Sequence, residues 1–303
     1  MSTPSVSSSA PRPILVLGAL VAVQLLFGAG YVVSKVLVGT FPPLVWASLR
    51  ILVSTVMMFG AAILWRGWGK SPSSWKDFFK PLIGFALLGM IINQSSFLVG
   101  LRHTTSTNSA ILNTLIPVFT LAVVTLRGQE KFTFLRGFGF VLALLGVLIM
   151  RGVENFSLSD QTFVGDSLTV LNCLSYALFL SYSKPFLEKH DRVWTTAWMF
   201  VYGSVGISLL AIPDYLQFTW PQMTPALWAC VAFAIVGTTL LTYFLNFWAL
   251  SYAKSSSVAL FIYLQPPIAA VIAYLWMGEP MSLRAFVASG LIFLGMLMGV
   301  KRA

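Results

Sequence analysis

Residues 93–150, NQSSFLVGLRHTTSTNSAILNTLIPVFTLAVVTLRGQEKFTFLRGFGFVLALLGVLIM, align without a gap on residues 242–299, TYFLNFWALSYAKSSSVALFIYLQPPIAAVIAYLWMGEPMSLRAFVASGLIFLGMLMG, at a constant offset of 149. Pro117 falls on Pro266, Glu130 on Glu279, Gly146 on Gly295 and Ser106 on Ser255. Coincident Leu and Ala carry little weight in so apolar a chain, but Pro, Glu and Gly do. The same offset carries Ser34-Lys35 onto Ser183-Lys184, far outside that window. The chain therefore reads as two copies of one unit, and a shared site is expected between them.

Composition sets the solvent. The 303 residues are 57% hydrophobic and 9% charged, with mean hydropathy +0.85, whereas a soluble domain is about 25% charged. Apolar stretches long enough to cross roughly 30 Å of hydrocarbon as helices run over 14–37, 43–65, 81–101, 106–126 and 132–150, and again over 164–187, 193–212, 226–249, 256–276 and 282–300. The expectation is an all-α integral membrane protein of ten transmembrane helices, two five-helix repeats over 14–150 and 164–303. No alternating strand pattern of a β-barrel appears.

With the connections assigned alternately to the two sides, 14 of the 19 Lys and Arg collect on one of them. These are Arg12, Arg66, Lys70, Lys76, Lys80, Arg127, Lys131, Arg136, Lys184, Lys189, Arg192, Lys254, Lys301 and Arg302. That side is cytoplasmic by the positive-inside rule, which puts both termini in the cytoplasm and the chain in the cell (inner) membrane. The net charge of +10 is thereby spread over short loops, with no module to organise it on a nucleic acid. An odd number of spans per copy makes the two copies inverted. Residues 1–13 read as a disordered cytoplasmic tail and 151–163, holding Glu154 and Asp160, as an external linker.

The chain resembles the EamA-type branch of the drug/metabolite transporter superfamily. The residues that carry the resemblance are Trp46-Ala47-Ser48-Leu49-Arg50 at the start of span two, Gly128-Gln129-Glu130 through Gly139 to Gly146-Val147, and Gly278-Glu279-Pro280 through Gly290 to Gly295. It covers 14–150 and 163–300, and is most similar to the YddG-like exporters of amino acids and related metabolites. The resemblance implies secondary transport of a small molecule.

Polar residues inside spans are the candidate site, because lipid penalises them. On span one Gln24, Gly28, Tyr31 and Lys35 share a face; on span six Asn172, Ser175, Tyr176 and Phe179 do. Spans three and eight offer Asn93, Gln94 and Phe97, and Thr239, Tyr243 and Asn246. Spans four and nine add Asn113, Thr114, Tyr263 and Gln265. The substrate-binding set is read as Gln24, Tyr31, Asn93, Phe97, Asn113, Asn172, Tyr176, Tyr243, Asn246 and Tyr263, with Lys35, Lys184, Pro117 and Pro266 as gate or anchor residues. The bland alternative is that each amide only bonds a neighbouring helix. Arg50 reads as structural, bonding helix-end carbonyls, rather than as an anion site, since its counterpart is Met199. Glu130 and Glu279 read as caps of the helices that follow them.

No cofactor, metal or disulfide is indicated: Cys173 and Cys230 lie inside spans, and His103 and His190 stand alone. An enzyme would need a catalytic cluster that the spans lack. The reading is an exporter of small metabolites such as amino acids, aromatic ones included, by alternating access, with nucleosides, quaternary amines or drugs as the alternative cargo and a non-transport membrane protein as the further alternative. The partners are the solute and the lipid bilayer. All nine acids lie in loops or near helix ends, Asp166 closest to a span, which favours a facilitator or exchanger over a proton-driven carrier.

Overall fold

Backbone groups in hydrocarbon must bond within their own segment, and the apolar spans accordingly form helices. The computed structural model describes residues 12–104, 109, 111–151, 162–268, 271 and 283–300, with Tyr31, Val32, Lys35 and Arg151 described only by their place in a helix. Residues 1–11 of the expected tail, residues 152–161 of the linker with Glu154 and Asp160, Ser106, Glu279 and the end of span nine lie outside these residues, while Pro13 and Phe163 already belong to helices. No strand occurs among the described residues.

The helices are α1 (Pro13–Thr40), α2 (Pro43–Arg66), α3 (Trp75–His103), α4 (Leu115–Leu126), α5 (Phe134–Arg151), α6 (Phe163–Lys189), α7 (Arg192–Tyr215), α8 (Pro225–Leu250), α9 (Ser255–Leu260, with a 3₁₀ turn Phe261–Leu264) and α10 (Leu283–Val300). Among the described residues seven helices, α1, α2, α3, α6, α7, α8 and α10, are long and apolar enough to cross a membrane. Proline at the first turn starts α1, α2 and α8, where its missing N–H costs nothing. Asp191 caps α7 by accepting from Val193 N and Trp194 N, each at 3.0 Å. Gly67 closes α2 at φ +77°, a conformation open to glycine. Leu52, Val56, Leu64, Leu209, Leu294 and Leu297 stay exposed on the outer faces, as a lipid-facing surface requires.

Proline shapes α4 and α9 in the same way. Pro117 has no N–H for the carbonyl of Asn113, four residues back, and Ile116 N takes it at 3.2 Å instead. In α9 Pro266 likewise leaves the carbonyl of Ile262 to the N–H of Gln265, tightening Phe261–Leu264 into 3₁₀. Each helix is thus tightened one turn before its proline. Both α3 and α8 carry π-helical turns, Leu87–Ile92 and Phe233–Leu241, just ahead of Asn93 and Thr242. Span three begins earlier than its apolar stretch, at Trp75, because Ser74 caps it through Asp77 N.

Packing follows small residues. α5 lies along α10, α2 along α7, α3 and α4 against α6, and α8 against α1. A Cβ on Gly295 would meet Ala143 N and Gly139 O at 2.5 Å, and one on Gly146 would meet Ala288 O at 2.8 Å. Side chains cannot enter that seam, and close approach is what glycine contributes there.

Arg136 and Glu130 differ from the sequence reading. Arg136 is not a solvated loop residue: it is buried in the first turn of α5 and pairs with the buried Glu130. Glu130 accepts from Arg136 and Ser256 Oγ and, at 3.3 Å, from Ser256 N. It therefore caps α9, across the molecule, and not the helix that follows it in sequence. Lys184 donates to the carbonyls of Leu250 at 3.3 Å and Ala253 at 2.8 Å, neutralising the C-terminal end of α8, and pairs with Glu188.

Two stability changes are expected. Gly295→Ala should cost ~1–3 kcal/mol by overpacking, while Gly290→Ala, facing open space, should leave the melting temperature of the detergent-solubilised protein unchanged; equal melting of the two would contradict the seam. Arg136→Met leaves Glu130 buried without its partner and should cost ~3–5 kcal/mol, with Glu130→Gln added to Arg136→Met restoring most of the loss. A single Arg136→Met that melts like the parent would show that the pair is solvated.

Candidate functional site

Between the helices lies a cavity of about 1000 Å³, its mouth included. α1 contributes Val23, Gln24, Phe27, Gly30 and Ser34, and α2 contributes Arg50. Asn93, Gln94 and Phe97 come from α3, Ile116 from α4 with Asn113 just before it, and Asn172 and Tyr176 from α6. α8 and α9 complete the wall with Thr238, Thr242, Tyr243, Asn246, Val258 and Ile262, and Gln265 follows them.

The polar groups form one directed chain. Arg50 Nη2 donates to Gln94 Oε1. Gln94 Nε2 donates to Asn93 Oδ1 at 2.9 Å and to Tyr243 Oη at 2.7 Å. Asn93 Nδ2 donates to Asn172 Oδ1 at 2.5 Å, Asn172 Nδ2 to Asn113 Oδ1 at 2.9 Å, and Asn113 Nδ2 to the carbonyl of Ser109 at 2.9 Å. A guanidinium has donors only, so it fixes the orientation of Gln94, and each amide fixes the next. On the other wall Gln265 Nε2 donates to Gln24 Oε1 at 2.8 Å, and Asn246 Nδ2 donates to Tyr176 Oη.

Of the expected set, Gln24, Asn93, Phe97, Asn113, Asn172, Tyr176, Tyr243 and Asn246 line this cavity. The Tyr31 and Lys35 side chains lie outside the described residues. Tyr263 is not on the wall; it is buried and donates to the carbonyl of Thr114 at 3.1 Å. Gly28 faces Gln265 and Ile268, where a Cβ would meet Ile268 at 2.9 Å, so the lining face of α1 passes through Phe27 and Gly30. Ser175 donates to the Leu88 carbonyl at 2.5 Å, and Phe179 packs in the core. Thr239 is replaced on the wall by its neighbours Thr238 and Thr242 because of the π turn. Pro117 and Pro266 are buried behind Asn113, Ile116, Ile262 and Gln265.

Arg50 is the main departure. It bonds the side chain of Gln94 and lines the cavity, in place of the helix-end carbonyls expected of it. A charge inside a span is the sequence signal that marks it. Asp166, in the first turn of α6, is buried and accepts from Thr104 Oγ1 at 2.5 Å. Among the described residues no group of three His, Cys, Asp or Glu is placed to hold a metal.

Among the described residues, a helical bundle of apolar spans around a polar cavity is the build of a multi-pass membrane protein. The pattern of the EamA-like transporter family matches residues 14–152 and again 163–300, and the chain belongs to that family. The Bacillus subtilis (strain 168) "Uncharacterized transporter YoaV" is 22% identical over 284 residues, covering 92% of this chain and 94% of that protein. An "Uncharacterized transporter" of Archaeoglobus fulgidus is 26% identical over 263 residues, covering 86% and 89%. A solved crystal structure shares the fold, with TM-score 0.77 at 14% identity over 96% of this chain and 99% of the other.

Replacing Asn172 by Leu removes two hydrogen bonds, the acceptor of the Asn93 amide and one of the donors to the Asn113 side-chain oxygen, at roughly 1–3 kcal/mol for a buried group left unmet. Asn172→Leu should therefore melt lower than Gln24→Leu, which orphans one amide. Equal or reversed melting temperatures would show that water already satisfies the chain.

Proposed function

We propose that the chain is a secondary transporter, working as an exporter of small metabolites such as amino acids, aromatic ones included, by alternating access between two inverted five-helix repeats. The observation that carries this reading is a pair of hydrogen bonds, one on the cavity wall and one behind it, between positions 149 apart. Gln94 Nε2 meets Tyr243 Oη at 2.7 Å, and Tyr263 Oη meets the Thr114 carbonyl at 3.1 Å. Corresponding residues of two copies touch each other only near the axis that relates the copies. Reciprocal contacts support the same axis: Gly139 meets Gly295, and Gly146 meets Ala288, which is the same contact with the copies exchanged. The prolines that tighten α4 and α9 obey the relation too, as do the π turns of α3 and α8. An axis through the cavity is what two equivalent outlets require.

The wall suits the cargo. Amides and phenols supply donors and acceptors for a zwitterionic head, and Phe27, Phe97, Tyr176 and Tyr243 supply flat apolar surface. No carboxylate lines the cavity among the described residues, so transport follows the substrate gradient with no proton relay. Both termini lie in the cytoplasm, and the chain sits in the cell membrane.

Tryptophan flux into proteoliposomes tests the reading. The parent should exchange internal for external tryptophan, an imposed pH gradient should not concentrate it, and Tyr176→Ala should reduce flux while leaving the protein folded. Absence of flux for every amino acid would overturn the proposed cargo. Topology is checked with single cysteines at two exposed positions, Ser73 and Thr219, which should react with an impermeant reagent from opposite faces; reaction from the same face would overturn the inverted arrangement.

A further inference from the structure

Arg50 is the one charged side chain among the described residues that line the cavity. It is 6% exposed. Of its five N–H donors, one Nη2 hydrogen bonds the neutral oxygen of Gln94, and Nε is buried with no acceptor. A guanidinium inside a membrane keeps its charge and is costly without an anionic partner. The usual partner is absent from the wall: the lining residues include no Asp or Glu, and the nearest acid along α6, Asp166, is engaged with Thr104. The other walls face Arg50 with amides, hydroxyls and rings, which can accept a hydrogen bond but not neutralise a charge.

We propose that Arg50 is the anion-binding residue of the cavity, and that the cavity selects solutes bearing a carboxylate, which completes the guanidinium's unmet hydrogen bonds. This rests on the transport reading above and narrows it. Arginine presents a planar edge that matches a carboxylate in two bonds. Gln94 holds that edge in place, and its second bonds, to Asn93 and Tyr243, keep the guanidinium aimed at the cavity. A cationic solute finds no acid to receive it there. Quaternary amines are therefore poor cargo, and an amino acid is held by its carboxylate while its ammonium takes neutral acceptors.

The test is binding to the full-length protein in detergent, read by calorimetry, for indolepropionate, tryptophan and tryptamine, repeated with phenylpropionate, phenylalanine and phenethylamine. Sodium acetate serves as a competitor without a ring. Each carboxylate should bind roughly tenfold or more tighter than its matched amine, acetate should compete, and Arg50→Gln should abolish the preference. Arg50→Lys, which keeps the charge but loses the planar edge, should retain part of it. The proposal is overturned if the amines bind as well as the carboxylates, if no carboxylate binds, or if Arg50→Gln keeps the preference. Should Arg50→Gln fail to fold, the parent's preference and the acetate competition decide. Protein that carries solutes without regard to a carboxylate refutes this inference and leaves transport standing, whereas carboxylate binding without flux does the reverse.

Discussion

A buried guanidinium that can only donate sets the polarity of the interior of this protein. Arg50 obliges Gln94 to present its oxygen, which turns the Gln94 amide toward Asn93 and Tyr243. The order then runs through Asn172 and Asn113 to a backbone carbonyl. Three helices, α2, α3 and α6, and the segment leading into α4 are thereby tied by a chain with one allowed orientation. Neutral amides alone could flip in concert; a donor-only head removes that freedom.

The backbone obeys a second constraint, that nothing in lipid be left unpaired. Proline breaks that rule at Asn113 and at Ile262, and both sites lie on the cavity wall, where a released carbonyl can be re-satisfied by a tighter turn or by solute and water. The π turns of α3 and α8 act in the same place, rotating Asn93, Gln94, Thr242 and Tyr243 onto the wall. The irregular backbone thus surrounds the site, and the regular helices, with the glycine seam of α5 and α10, form the frame. The buried pair of Glu130 with Arg136 fastens the connection between α4 and α5 to the start of α9.

Helical spans, their order and most of the polar wall were legible because lipid makes their signals loud: long apolar runs, and isolated amides within them. Asn93, Asn172 and Tyr243 were found that way. Details that depend on helical phase were not. A π turn adds a residue per turn, so Thr238 and Thr242 line the cavity where uniform spacing chose Thr239. Gly28 shares a helical face with Gln24, yet Ile268 presses on it. Glu130 was legible as a cap, but which helix it caps depends on packing across the molecule. Tyr263 carried the right chemistry and reached a carbonyl behind the wall instead.

The proposed alternating access requires one cavity that serves both membrane faces by turns. Ile262 lines it from α9, and a cysteine there, in a background with Cys173 and Cys230 replaced by alanine, reports its access. An impermeant thiol reagent applied separately to right-side-out and inside-out vesicles should modify Ile262→Cys from either face, and saturating tryptophan should slow both reactions. Modification from one face alone, with and without tryptophan, would contradict alternation.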